Sequence, residues 1–412
     1  MEQKSSVKNS SRPGTRERIV EAAFSFYGDF MFEKVSLSRI ADRVGISKPA
    51  IFKHFKTKDA LLEEMDERVF SHLTTVLQDM DPILREGRLG DALSLIIGQL
   101  ARNREETFYL FSTLPGIKID SVLMRLRERG VRLFDDVFAP DGSVKDKDRY
   151  LLTVFTSSTF LYFLLLWFSS SKGDECGDAS PFIEKLNSFI QEGLEGLECL
   201  SDFGKIDEAC DRGMSAARPV NRAFTALVSV IGKKGLQGVT VEAIAGELGL
   251  AKSSLYSSFR SKDDMLASLV SEELSSLYAT ILESVRGLEG YGGRIYAIMR
   301  TCMLYFIARP GILSIFKGIV LSGMHPLLAK GACGPELEAL ESMPPLVPAL
   351  PDLGIRKFDG NLLLSWFFSL PAMLYLHCQG QGWDDEEMLL AVRVMYGFLS
   401  SGISGTAKGG AL

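Results

Sequence analysis

Apolar residues recur at helical spacing along most of this chain, and the alternation that marks β-strands is hardly visible. Near the N-terminus, Ile19, Ala23 and Phe26 share one helical face. Ala223, Leu227 and Val230 repeat this spacing later in the chain. The pattern therefore predicts an all-α fold.

The same pattern of residues occurs twice, 204 positions apart. Residues 36–62 align with residues 240–266 without a gap, and eight of the 27 positions are identical. A weaker echo follows downstream, where the motif F-x-x-x-G at 189–193 recurs at 398–402. The chain is therefore predicted to consist of two tandem units.

The repeat divides the chain into five segments. Each unit is predicted to open with a three-helix head, at 1–57 and at 219–261, followed by a helical body, at 58–200 and at 262–412. The remaining segment, 201–218, is polar and rich in small residues, which favours a linker between the units.

The first head is predicted to contain two helices joined by a tight turn. Ser36 is expected to cap the helix Leu37–Val44, and Gly45 to end it in a left-handed conformation. Ser47 is then expected to cap a short helix, Lys48–His54. This is a helix-turn-helix arrangement, whose second helix enters the major groove of DNA.

The second head repeats this plan. Thr240 is the predicted cap, Gly249 the predicted turn, and the short helix is expected over 252–258. Ala251 takes the place of the capping serine, which should weaken this helix by about 1 kcal/mol unless Ser253 or Ser254 compensates.

Charge is distributed unevenly along the chain. Residues 1–58 and 212–262 each carry a balance of +6, so the other 303 residues must carry −18 within a net charge of −6. Two basic islands in an acidic protein are typical of a nucleic-acid binder.

The two heads resemble the TetR family of transcriptional regulators. The shared pattern is a hydroxyl before the second helix, Ile-Ala, a glycine, an aromatic residue and Phe-x-x-Lys-Asp. It is carried here by Ser36, Ile40, Ala41, Gly45, Phe52, Phe55, Lys58 and Asp59, and by Thr240, Ile244, Ala245, Gly249, Tyr256, Phe259, Lys262 and Asp263. The family usually has tyrosine where Phe52 stands. The resemblance implies a small DNA-binding domain followed by a larger helical domain for an effector and for dimerisation.

The resemblance and the expected outward faces together give the candidate DNA-contacting residues. They are Ser36, Ser47, Lys48, Ala50, Phe52, Lys53, His54, Lys58, Thr240, Lys252, Ser253, Ser254, Tyr256, Ser257 and Lys262. The predicted partner is a double-stranded DNA operator that forms an imperfect palindrome, because the two short helices present different groups. An unknown small-molecule effector is implied by the family alone, and the sequence identifies no residues that bind it.

Two long stretches, 150–171 and 361–383, carry no charge and occupy the same place in the repeat. Either is long enough to cross a bilayer. However, both contain polar residues, and in the resembled family such helices pair in a four-helix bundle. We therefore predict that the two units pair within one chain as a pseudo-dimer, and further association of chains stays open.

No catalytic or metal-binding motif is visible, and the six cysteines form no C-x-x-C pair. The polar N-terminal residues do not resemble a signal peptide, which favours the cytoplasm. The sequence therefore predicts a non-enzymatic, ligand-responsive repressor that uses no cofactor. The alternatives are a helical interaction protein that has lost DNA binding and, less favoured, a membrane-associated helical protein.

Overall fold

A computed structural model describes the chain over ten ranges. These are residues 14–27, 36–86, 88–113, 119–132, 146–170, 180–194, 196–234, 238–257, 259–313 and 360–406. Over these ranges the secondary structure is helical and contains no strand, as the sequence predicted.

The helices of the first unit fall into a head and a body. The head contains α1 (Thr15–Tyr27), α2 (Leu37–Val44) and α3 (Lys48–His54). The first body contains α4 (Lys58–Arg85), α5 (Leu89–Arg102), α6 (Arg104–Thr113), α7 (Ile119–Glu128), α8 (Asp146–Ser170) and α9 (Ser180–Glu192).

The second unit repeats this order after one additional helix, α10 (Gly204–Ser215). Its head contains α11 (Arg222–Lys234), α12 (Val241–Leu248) and α13 (Lys252–Tyr256). The second body contains α14 (Lys262–Val285), α15 (Tyr291–Ala308), α16 (Gly360–Gly380) and α17 (Asp385–Thr406).

Helices of the two bodies pack against each other. The helix α9 lies along α17, and α8 contacts both α16 and α17. In this interface the rings of Phe155 and Phe398 have centroids 5.4 Å apart. The Tyr150 hydroxyl lies 2.9 Å from Nδ1 of His377. The uncharged stretch in α8 is thus covered in part by its counterpart in the second unit. None of the helices that the structure describes is long and apolar enough to span a membrane.

Two glycines meet in the contact between α9 and α17. Gly193 and Gly402 both have positive φ, at 82° and 61°. A Cβ at Gly193 would lie 2.7 Å from the backbone nitrogen of Gly402, and a Cβ at Gly402 would overlap the carbonyl of Gln191. Beside them, the amide of Leu194 donates to the carbonyl of Leu399 at 2.7 Å. The two copies of the F-x-x-x-G motif therefore contact each other reciprocally, as equivalent residues do across a two-fold axis.

The segment predicted to be a linker, 201–218, is not an extended tether. Its central helix, α10, packs against α14 and α15. Ile206, Ala209, Cys210 and Gly213 form its buried face. These positions have the spacing i, i+3, i+4, i+7, which marks a helix face even where the surrounding composition is polar. The prediction of a linker is wrong because it rested on the polar average composition of the segment and not on the periodicity of its few apolar residues.

An ionic cluster holds α10 in place. Asp207 accepts a hydrogen bond from the hydroxyl of Tyr296 at 2.8 Å and lies 3.0 Å from Nε of the buried Arg300. Arg393 of α17 forms a further ion pair with the same carboxylate. The connection between the units is therefore bound to α15 and α17 by charge as well as by its apolar face.

Candidate nucleic-acid interface

The first head has the helix-turn-helix geometry that its sequence predicts. The Ser36 hydroxyl accepts from the amide of Arg39 at 3.4 Å and caps α2. Gly45 ends α2 with φ of 76°, in the left-handed region that glycine adopts at little cost. On α3, Ile51 is fully buried, and Phe55 just beyond the helix is also buried. The opposite face of α3 is therefore the outward one.

The second head repeats this local geometry in most respects. The Thr240 hydroxyl accepts from the amide of Ala243 at 3.0 Å, and Gly249 ends α12 with φ of 68°. Leu255 is the buried residue of α13. The helix α13 ends at Tyr256, two residues earlier than expected, and the Ser257 hydroxyl donates to the carbonyl of Ser254 at 2.7 Å.

The predicted cap at Ser47 is wrong. Ser47 occupies the capping position of α3, but its hydroxyl makes no capping hydrogen bond. The reason is local: Pro49 has no amide hydrogen to offer, and the amide of Ala50 donates to the Ser47 carbonyl at 2.9 Å. Ala251 likewise provides no cap for α13. Because neither residue makes a capping hydrogen bond, the structure gives no reason to expect that Ala251 makes α13 less stable than Ser47 makes α3.

The structure leaves most of the candidate DNA-contacting residues accessible. Exposed are Ser36, Ser47, Lys48, Phe52, Lys53, Thr240, Lys252, Ser253, Ser254, Tyr256 and Ser257, and half-buried are Ala50, His54, Lys58 and Lys262. The large apolar surfaces of Phe52 and Tyr256 are 48% and 45% exposed. Exposed aromatic residues at matching positions of both short helices favour a binding surface over a packing role.

Charge is arranged differently in the two heads. In the second head, Lys252 forms an ion pair with Glu242 of α12, and its ammonium lies 5.3 Å from the centroid of the Tyr256 ring. The hydrogen bond from Lys252 lowers the pKa of the Glu242 carboxyl below its usual range. Within the part of the chain that the structure describes, Lys48 of the first head has no ion-pair partner.

Comparison with known proteins bears directly on the two heads. The family model for bacterial regulatory proteins of the tetR family matches residues 19–65 and again residues 224–269. Both matches fall on the helix-turn-helix elements and the start of the following long helix. The chain carries two tetR-family domains. The duplicated tetR-type regulator fold that the sequence predicted is confirmed.

Individual relatives match parts of the chain. It is 27% identical over 163 residues to the nucleoid occlusion factor SlmA of Pasteurella multocida, which covers 40% of this chain and 69% of that protein. It is 29% identical over 101 residues to SlmA of Sodalis glossinidius, covering 23% and 50%. It is 34% identical over 56 residues to the class C tetracycline repressor protein of Escherichia coli, covering 14% and 26%. The chain thus spans half or less of the last two relatives.

A solved structure is also similar to part of the chain. It is described as a structural analysis of the fatty acid degradation regulator FadR from Bacillus halodurans, with 18% identity and a TM-score of 0.29. The match covers 43% of this chain and 93% of that one.

Sequence reasoning missed charged residues on the helix that precedes each short helix. In the first tetR domain, Arg39 and Arg43 are exposed on α2 and lie over the Phe26 ring, with Cζ 5.5 and 4.6 Å from its centroid. In the second, the exposed side chains of α12 include Glu242 and Glu247. In a helix-turn-helix the first helix crosses the DNA backbone, so these charges bear on phosphate binding. The sequence did contain a signal for these residues, because the charged positions of each helix alternate with its apolar, buried positions.

Among the residues that the structure describes, a small cavity lies between α4, α5 and α6. The cavity there has a volume of about 30 Å³ and is lined in part by His72, Glu106 and Thr107, which is enough for about one water molecule. The Glu106 carboxylate lies 2.7 Å from His72 and accepts from Arg68 at 2.7 Å. Over the described ranges, no cluster of side chains could hold a metal ion.

Proposed function

We propose that this chain is a ligand-responsive transcriptional repressor in which two DNA-binding heads act as one internal pseudo-dimer. The observation that carries the proposal is the reciprocal packing of α8 and α9 on α16 and α17 in a chain with two tetR domains. A regulator built from separate chains needs a second copy to cover such helices and to supply the second head. Here one polypeptide both covers these helices and supplies the second head. We place the protein in the cytoplasm, where its DNA would lie.

The proposed DNA contacts are those of the two short helices and the helix starts that follow them. Lys48 and Lys53 lie on the outward face of α3, and Lys252 begins α13. Lys58 and Lys262 begin α4 and α14, where an added positive charge opposes the helix dipole and a bound phosphate would offset it. The head and body limits given by the repeat, with heads at 1–57 and 219–261, are part of the same proposal.

The covalent link between the two heads explains why one chain would suffice to bind a two-part operator. Two binding modules on one polypeptide face each other at an effective concentration of order millimolar, far above that of a typical regulator in a cell. Heads on successive major grooves are about 34–36 Å apart. The effector is proposed to be a small molecule, and the bodies, which carry the interface between the units, are the parts through which it would act on the heads.

Selection of DNA from a random duplex library, followed by sequencing, tests this function. We expect two half-sites of different sequence, because Ala50 and Lys53 of α3 are replaced by Ser254 and Ser257 in the second head. These pairs present different hydrogen-bonding groups to the bases. A perfectly symmetric inverted repeat would contradict two distinct heads. Failure to enrich any sequence would instead favour a helical interaction protein that has lost DNA binding.

A further inference from the structure

The second head carries an acidic residue beside its first recognition lysine. Glu242 lies in the first turn of α12 and Lys252 begins α13, and the two side chains form an ion pair across the turn. Both side chains are exposed, and the Lys252 ammonium also faces the ring of Tyr256. The ammonium is therefore shared between a carboxylate and an aromatic ring in the unbound protein.

The first head has no acidic residue at the positions equivalent to Glu242 and Glu247. The position 204 residues before Glu242 is Ser38, and the position 204 residues before Glu247 is Arg43. Glu247 itself binds Lys233, at 2.8 Å, so a second lysine of the second head is engaged by an internal carboxylate. The basic island that the sequence shows around the second head is thus partly neutralised by its own α12.

An acidic side chain at this place has a direct effect on phosphate binding. The helix before the recognition helix crosses the DNA backbone, so the Glu242 carboxylate would face phosphates of like charge. Lys252 would have to leave Glu242 before it could bind a phosphate or a base edge. Surface ion pairs are weak enough for such an exchange to occur. The exchange lowers the net gain from the phosphate contact that Lys252 makes.

We propose that Glu242 is a specificity-determining residue of the second head, which occupies Lys252 in place of a DNA phosphate and suppresses binding to non-cognate DNA. The inference rests on the proposed DNA-binding function and deepens it. The first head, without this carboxylate, supplies the sequence-independent attraction. The second head then adds affinity only where its base contacts are favourable.

A purely structural role for Glu242 makes a different prediction. An acidic residue in the first turn of a helix stabilises that helix through its dipole. If this were its only role, Glu242→Gln would lower the midpoint of thermal unfolding and leave DNA binding unchanged. The two roles are therefore separated by a binding measurement and a melting curve on the same variant.

The test uses the full chain with two duplexes of equal length, one selected by the wild-type protein and one of scrambled sequence. Glu242→Gln is expected to strengthen binding to the scrambled duplex roughly three- to tenfold, and to steepen the dependence of log K on log salt by about one. Binding to the selected duplex should improve less, so the ratio of the two affinities falls. In a Lys252→Ala background, Glu242→Gln should have a smaller effect, because the released ammonium is absent.

Ser38→Glu provides the matched variant in the first head, since the ten-residue spacing to Lys48 equals that from Glu242 to Lys252. It is expected to weaken binding to the scrambled duplex by a similar factor. Unchanged affinity and salt dependence in Glu242→Gln, with a wild-type protein that does select DNA, would overturn this inference alone. A wild-type protein that selects no DNA would overturn the proposed function itself.

Discussion

Gly193→Ala is expected to lower the free energy of unfolding by about 3 kcal/mol or more. Two effects add at this position. With φ of 82°, an L side chain is strained, and the new Cβ would lie 2.7 Å from the backbone of Ser400, Ser401 and Gly402. Because those atoms belong to the backbone of α17, relief requires the backbones at the ends of α9 and α17 to move apart. Urea unfolding of the purified chain measures the loss.

Gly130→Ala is the matched control for this experiment. Gly130 has φ of 77°, close to that of Gly193, but a Cβ there would meet nothing within 4 Å. Its substitution should therefore cost only the backbone strain, about 1 kcal/mol. Equal losses in the two variants would show that the close approach of Gly193 and Gly402 does not hold the units together. Gly402→Ala should behave like Gly193→Ala.

Replacing Lys48 and Lys58 together with alanine is expected to weaken binding to the selected duplex roughly 30- to 100-fold at physiological salt. Each lysine that neutralises a phosphate contributes about one unit to the slope of log K against log salt, so the slope should fall by about two. Titrations at several salt concentrations measure both quantities. The protein should fold normally, because both side chains lie at helix starts outside the core.

Two comparisons sharpen this prediction. Lys185→Ala with Lys205→Ala removes two positive charges from α9 and α10, helices that belong to neither head, and should leave affinity nearly unchanged. Lys252→Ala with Lys262→Ala should weaken binding less than the first-head variant does, since Glu242 already binds Lys252. If the first-head variant bound DNA like the wild type, the first head would not take part in binding.

The heads could be predicted from sequence because their signals are local. The limits of α2 and α3 match the prediction residue for residue. Each depends on groups within a few positions: a hydroxyl such as Ser36 that bonds an amide three residues ahead, and a glycine such as Gly45 that leaves the helix in a left-handed turn. The failure at Ser47 is also local, because the amide three residues ahead, that of Ala50, donates to the Ser47 carbonyl and not to its hydroxyl.

Contacts between distant parts of the chain were harder to predict. The recurrence of Gly193 as Gly402 was visible in the sequence, but nothing in it showed that the two glycines touch. The role of Asp207 depends on Tyr296, Arg300 and Arg393, which lie 89 to 186 positions away. Such partners become neighbours only through packing, so composition suggested a linker where the chain forms a helix with one buried face.

The pairing of Glu242 with Lys252 lies between these two cases. Ten positions separate the residues, and both carry charges that the sequence displays. The sum of the charges over residues 212–262 is positive and indicated a basic island. The turn at Gly249 nevertheless brings the opposite charges of Glu242 and Lys252 together. Net charge was enough to predict a nucleic acid as the ligand. The difference in charge between the surfaces of the two heads could be seen only from the positions of the helices.

The mass of the protein–DNA complex tests the central claim most directly. Light scattering on the chain bound to a duplex that contains both half-sites should give one chain of 45.4 kDa per duplex, with both half-sites protected from nuclease. The pseudo-dimer predicts this because each chain supplies two heads joined through α9 and α17. A complex that forms only with two chains on one duplex, each protecting one half-site, would contradict it.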